Sequence, residues 1–139
     1  MKRIIFLLAI LFATNAAFAQ DTLVTKSGIK YVRIKPGNGK HPEPGDKVSV
    51  YYTGTLPDGT VFDTNRDETN EVFKFTIGKR EVIPGWEEGL QLTSKGERGI
   101  LFIPAKLGYG AKGAKDGNNK YLIPPNSPLK FEIELVSFK

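Results

Sequence analysis

The sequence predicts an α+β fold, an antiparallel β-sheet wrapped around one short α-helix. Leu129, Phe131, Ile133 and Leu135 alternate with Lys130, Glu132 and Glu134, which is the strand period of two with one apolar and one charged face. A strand patterned this way has one face buried and one wet, as in an antiparallel sheet covered on a single side. Four further runs carry strand character and are punctuated by Gly, Pro, Asn and Asp, whereas only one segment, from about Pro84 to Leu92, supports a helix.

In chain order, the N-terminus reads as a targeting segment. Lys2 and Arg3 precede an apolar run from Ile4 to Ala13, and Ala17-Phe18-Ala19 supplies a small-x-small cleavage pattern. Residues 1–19 are therefore expected to be a cleaved signal peptide, and the apolar stretch is too short to span a ~30 Å hydrocarbon core. Residues 20–139 form a single domain that begins with a flexible leader over 20–27. Gly28 to Ile34 alternates as an edge strand and ends at Pro36-Gly37-Asn38-Gly39. Val48 to Thr53 is a second strand, rich in β-branched and aromatic residues, closed by a turn that contains Asp58-Gly59. Phe73 to Ile77 alternates and stops at Gly78. Pro84 suits the first helical position, where a missing N–H has no partner to lose, and Trp86 and Leu90 stand at an i, i+4 spacing. Gly89 inside this turn is unfavourable by ~1 kcal/mol against Ala, so packing must hold it. Ile100 to Ile103 is a short apolar strand ended by Pro104, and residues 108–128 read as a long ordered loop.

Composition excludes several classes. The chain has no cysteine, which removes disulfides and thiolate metal sites and leaves the fold to packing alone. Its formal charge of +5 becomes +3 without Lys2 and Arg3, a mild excess spread along the chain that does not mark a nucleic-acid surface. Gly108-Tyr109-Gly110-Ala111-Lys112-Gly113 matches the dinucleotide glycine pattern but leads to a polar loop and Pro124-Pro125, not to a helix. Asp116-Gly117-Asn118-Asn119 lacks the spacing and distal Glu of a calcium loop. His41 is the only histidine, with no companion ligand, so the usual acyl-transfer triads are absent and only Ser–Lys arrangements stay open.

What remains is the run Val82-Ile83-Pro84-Gly85-Trp86-Glu87-Glu88-Gly89, with the only tryptophan, and a set of aromatics beside turns: Tyr52, Phe62, Phe73, Tyr109 and Phe131. Each alone is ordinary core; together they suit the mouth of an aromatic-floored cavity. Tyr51-Tyr52-Thr53-Gly54, Asp58-Gly59 with Val61-Phe62-Asp63, Phe73-Lys74-Phe75, Gly78-Lys79 with Glu81 to Gly89, Gly108-Tyr109-Gly110 and Ile123-Pro124-Pro125 occur in this order over residues 28–139. In these pieces the chain resembles the FKBP-type peptidyl-prolyl cis/trans isomerases.

The resemblance implies an isomerase that accelerates X–Pro rotation without covalent chemistry, metal or cofactor. It implies that Trp86 floors a proline pocket walled by Tyr52, Phe62, Phe73, Val82, Ile83 and Phe131, with Tyr109, Leu122 and Ile123 at the rim. By the same precedent the Ile83 N–H and the Tyr109 hydroxyl donate to substrate carbonyls, Asp63 lies at the pocket edge, with Arg66 the nearest arginine for it, and Glu81 belongs with the substrate-binding residues. The expected partners are proline-containing unfolded or nascent exported polypeptides and macrolides of the FK506 type, with no nucleic acid and no stable membrane insertion. The expected state is a monomer, periplasmic or else secreted. The rival reading is a proline-peptide-binding module or holdase with little catalysis. The stretch from Gly110 to Tyr121 is longer than in the smallest relatives and carries Lys112, Lys115 and Lys120.

Overall fold

The computed structural model describes residues 21–139, so the signal peptide expected over 1–19 lies outside the described residues. The chain forms β1 (Thr22–Val24), β2 (Lys30–Lys35), β3 (Lys47–Thr55), β4 (Val61–Thr64) and β5 (Phe73–Thr76), then α1 (Pro84–Gly89) with a 3-10 turn over Leu90–Leu92. β6 (Arg98–Ile103), a 3-10 turn over Ala105–Leu107, β7 (Ala114–Lys115), β8 (Tyr121–Ile123) and β9 (Leu129–Phe138) complete it. The main sheet runs β1-β2-β6-β9-β3, and all its pairings are antiparallel. On the far side of β3, β4 pairs with Thr53–Thr55 and β5 with Lys47–Val50, so two short strands share one long edge.

The predicted fold class is the observed one. Leu129, Phe131, Ile133 and Leu135 of β9 are buried, as their alternation requires, together with Val48 and Val50 of β3, Leu101 and Ile103 of β6, Tyr31 of β2 and Trp86 of α1. The glycines of α1 explain why so poor a helix former sits there. A Cβ at Gly85 would meet Ile103 Cγ2 at 2.4 Å, and one at Gly89 would meet Leu101 Cδ1 at 2.8 Å. The helix presses its backbone onto β6, and only glycine permits that approach.

Three expectations need correction. Part of the leader over 20–27 is paired: β1 lies along β2 through Thr22–Val24, Arg33 N–H donates to the Asp21 carbonyl at 2.9 Å, and the Arg33 guanidinium meets the Asp21 carboxylate at 2.8 Å. β2 is therefore not an edge strand, since β1 covers one side and β6 the other. The stretch 108–128 is ordered but is not only a loop. β7 and β8 form a hairpin inside it, turned by Asp116, whose carboxylate accepts the N–H groups of Asn118 and Lys120 at 2.8 and 3.0 Å.

Beneath the β2–β6 corner, Glu97 is buried, takes the Ser94 N–H at 2.5 Å and pairs with Arg33. A buried carboxylate persists only with such partners.

Candidate active site

The site grows from the meeting of α1 with the concave face of the sheet. Ile83 precedes Pro84 in an extended conformation (φ −59°, ψ 149°), and its carbonyl accepts the N–H groups of Trp86 and Glu87 at 3.0 and 3.2 Å. Among the described residues the Ile83 N–H has no acceptor. This asymmetry is built into a helix start, whose first N–H groups lack intrahelical partners. The preceding turn is held by acidic side chains: Glu87 accepts the N–H of Gly78 at 2.5 Å and of Arg80 at 2.9 Å, and Glu81 accepts the Thr76 N–H at 3.0 Å. Arg80 is thereby kept at a positive φ of 55°, a conformation a non-glycine residue adopts only when its surroundings impose it.

Trp86, 4% exposed, forms the floor. Tyr52 of β3 stands edge-on to it with centroids 4.9 Å apart, Phe131 of β9 at 5.2 Å and Phe73 of β5 at 6.0 Å, all near perpendicular. Phe62 of β4 continues the wall against Phe131 at 5.5 Å and 87°. Edge-to-face pairs of this kind contribute ~0.5–1.5 kcal/mol each beyond area burial and fix ring orientation. Gly54 makes the wall possible. It lies opposite Phe131 in the β3–β9 ladder, and a Cβ there would fall 2.5 Å from Phe62 Cζ and 2.7 Å from Phe131 Cε1.

These side chains enclose a cavity of about 230 Å³ lined by Tyr52, Phe62, Asp63, Phe73, Glu81, Val82, Ile83, Trp86, Tyr109 and Phe131. Ten of the residues singled out in the sequence thus converge. Two do not: Ile123 is buried in the core at 3% exposure, and Leu122 is exposed on the hairpin, outside the lining. In a strand neighbouring side chains point opposite ways, here one into the core and one to solvent. A larger groove of about 450 Å³, flanked by Leu56, Pro57, Phe102 and Pro104, shares no residue with this cavity and gathers none of its aromatic rings.

The polar groups are few. The Tyr52 hydroxyl donates to Asp63 Oδ2 at 2.8 Å. Burial and then that bond hold the Tyr52 phenol well above its ordinary range, and burial, helped by Asp63, raises Tyr109 as well. Both therefore keep their protons at neutral pH. Arg66 does not serve Asp63; it pairs with Glu134 and lies over the Tyr51 ring at 4.8 Å, on the other face of the sheet. Tyr109 is 39% exposed, and among the described residues its hydroxyl has no hydrogen-bond partner. His41 lies away from the cavity with Nδ1–H directed to the Thr93 carbonyl at 2.7 Å. Among the described residues no three His, Cys, Asp or Glu side chains gather as a metal site, and no helix is long and apolar enough to cross a membrane.

Gly54 and Asn65 are residues that sequence reasoning passed over. Gly54 reads in the sequence as part of the turn after Thr53, but β3 runs on to Thr55, and a glycine inside a strand marks a close approach. Asn65, whose side-chain amide bonds the Tyr52 N–H and the Val50 carbonyl, had no signal.

A ring-lined cavity with two unoccupied donors at its mouth and, among the described residues, no nucleophile–base pair suits binding and shape rather than bond making. Comparison with known proteins agrees. Residues 38–136 match the model of the FKBP-type peptidyl-prolyl cis-trans isomerase family. Peptidyl-prolyl cis-trans isomerase Fkbp12 of Drosophila melanogaster is 49% identical over 110 residues, 78% of this chain and 96% of the relative. Macrophage infectivity potentiator of Trypanosoma cruzi is 44% identical over 130 residues, 93% of this chain and 62% of the relative's length. The crystal structure of AtFKBP13 superposes with a TM-score of 0.77 at 33% identity, covering 86% of this chain and 99% of that one. The chain belongs to the FKBP family and is a peptidyl-prolyl cis-trans isomerase.

Proposed function

We propose that this enzyme acts on exported polypeptides, accelerating their X–Pro isomerisation outside the cytoplasm, with the Trp86-floored cavity as its catalytic site. The observation that carries the reading is the convergence of ten residues, six of them aromatic, on one cavity. The proline ring sits on Trp86 between Tyr52, Phe73 and Phe131, with Phe62 and Val82 closing the sides. The Ile83 N–H and the Tyr109 hydroxyl donate to substrate carbonyls, and Asp63 orients Tyr52.

The chemistry suits these residues. Rotation about the peptide bond has a barrier of ~18–20 kcal/mol because resonance flattens the amide. Twisting it removes that resonance and its charge separation, so an apolar site disfavours the planar ground state more than the twisted one. A thousandfold acceleration requires ~4 kcal/mol of such differential binding. Burial of three ring methylenes contributes ~2.4 kcal/mol, but cis and trans share it, so it anchors the ring without driving rotation.

A protease-coupled assay on X–Pro peptides tests the site: cis-to-trans rates should exceed the buffer blank and collapse in Trp86→Leu. Rates equal to the blank refute it. FK506-type macrolides should compete for the cavity, read from the emission of the only tryptophan. Export is supported by the basic, apolar and small-x-small pattern of residues 1–19. N-terminal sequencing of the protein from fractionated cells should find Gln20 first, in the periplasm, and sedimentation should give a monomer.

A further inference from the structure

Tyr52, Asp63 and Phe73 stand on three different strands, yet they must keep fixed spacing to form one wall. β4 leaves the edge of β3 after the Thr53–Thr64 pair, and β5 joins it only at Val50, so the ladder is open at Tyr51 and Tyr52. Asn65 closes the opening. Its Oδ1 accepts the Tyr52 N–H at 2.7 Å, while its Nδ2 donates to the carbonyls of Val50 at 3.0 Å and Glu71 at 2.9 Å. Its own N–H donates to the Tyr52 carbonyl at 3.2 Å, where the Thr64 hydroxyl also donates at 3.0 Å.

A primary amide offers one acceptor and two donors in the plane of a peptide group. Here it replaces the missing strand peptide and also ties off the loop that begins at residue 66, through the Glu71 carbonyl two residues before Phe73. The partners fix the orientation of the amide, since only its oxygen can face an N–H and only its nitrogen two carbonyls. No other side chain of this size has both functions: aspartate would set a carboxylate against two carbonyls, and serine has one hydroxyl. Asn65 also places Tyr52 two positions along the ladder from Asp63, on one face, where their hydrogen bond forms.

We propose that Asn65 is a positioning residue for the isomerisation, setting the spacing of the Tyr52–Asp63–Phe73 wall; this rests on the cavity being the catalytic site. The proline-ring floor and the Ile83 N–H belong to α1 and its entry, which Asn65 does not touch. Loss of Asn65 therefore weakens turnover more than substrate binding.

The test compares the protein as it accumulates in cells with Asn65→Asp, Asn65→Ser and Asp67→Ala. Asp67 accepts the N–H groups of Thr69 and Asn70 at 3.0 and 3.2 Å and so orders the same loop without touching β3. Displacement of a catalytic wall by ~1 Å can lower rates up to ~100-fold. Asn65→Asp should lower kcat by about tenfold or more with little change in KM, Asn65→Ser less, and Asp67→Ala not at all. Tyr52→Phe should lose less activity in the Asn65→Ser background than alone, because the two act through one placement. Unchanged kcat in both Asn65 variants, equal losses in Asp67→Ala, or strict additivity with Tyr52→Phe overturns the proposal. If the unaltered protein turns over no peptide, the reading of the site has failed and Asn65 is judged on Trp86 emission. A shift in the Asn65 variants but not in Asp67→Ala upholds the positioning role, and no shift ends it.

Discussion

Replacing Gly54 with alanine adds one methyl group between two rings of the cavity wall. The new carbon would lie 2.5 Å from Phe62 Cζ, 2.8 Å from Phe62 Cε2 and 2.7 Å from Phe131 Cε1. Non-bonded carbons rest at ~3.5–4.0 Å, so both rings must move by about 1 Å. The backbone offers no relief and needs none: Gly54 is not among the residues with positive φ, so alanine is at ease there. On its own the exchange would stabilise a strand by ~0.5–1 kcal/mol. Overpacking a filled site costs ~1–3 kcal/mol, which leaves a net loss of up to ~2.5 kcal/mol, centred on ~1 kcal/mol. At ~3–6 °C per kcal/mol for a domain of this size, the melting temperature falls by several degrees.

The rings move away from β3, and the space open to them is the 230 Å³ cavity they line. The proline pocket therefore narrows while the fold survives. By the same ~1 Å displacement, kcat/KM should drop by about tenfold or more, most of it as raised KM, because the ring's own volume is taken. Protease-coupled isomerisation and calorimetry on the same preparation give both quantities. Wild-type kcat/KM together with an unchanged or raised melting temperature would show that Phe62 and Phe131 do not define the pocket, and the assignment of the wall would fall.

Other perturbations probe the remaining supports. Tyr52→Phe removes the donor to Asp63 but keeps the ring on Trp86; it should cost ~1 kcal/mol in a denaturant titration and lower kcat/KM severalfold, where no change in either would detach Asp63 from the site. Glu87→Ala strips two N–H groups, those of Gly78 and Arg80, of a charged acceptor, so amide exchange at both should accelerate and stability fall by ~1.5–3 kcal/mol. Burial foremost raises the phenols of Tyr31, Tyr52 and Tyr109 above their ordinary range. Above pH ~10 the unfolded chain loses these protons while the folded one keeps them, so stability is fully present below pH 10 and falls as pH rises further. Tyrosinate absorbance should appear late, with unfolding, and turnover should show no tyrosine titration up to pH ~9. Asp58 and Asp67, depressed mainly by bonds from Thr60 and Thr69, act oppositely: their turns tighten above pH ~4 and loosen as pH falls through their folded pKa values.

Legibility in the sequence follows from how each element is stabilised. β9 is legible because its alternate residues are buried and wet, and α1 because Pro84, Gly85 and Trp86 mark a helix start. β1 has three exposed residues and no buried face, so its pairing rests on backbone bonds that leave no pattern in the side chains. β4 and the β7–β8 hairpin are too short for a period to show; the hairpin depends instead on Gly113 at φ 63° and on the Asp116 turn. Within the site, chain proximity misled where strand geometry rules: Arg66, three residues from Asp63, joins Glu134 on the other face, whereas Tyr52 reaches Asp63 across the ladder.

Gly89 shows how the two levels meet. Local propensity disfavours glycine in a helix by ~1 kcal/mol, yet a methyl group there would strike Leu101 at 2.8 Å, as one at Gly85 would strike Ile103. The close seat of α1 on β6 carries Trp86 down to the floor among Tyr52, Phe73 and Phe131. It also leaves the Ile83 N–H at the mouth with no helical carbonyl to take it. The feature that makes α1 a poor helix is therefore the one that makes it a good floor, and a sequence optimised for the helix alone would lift the tryptophan out of the cavity.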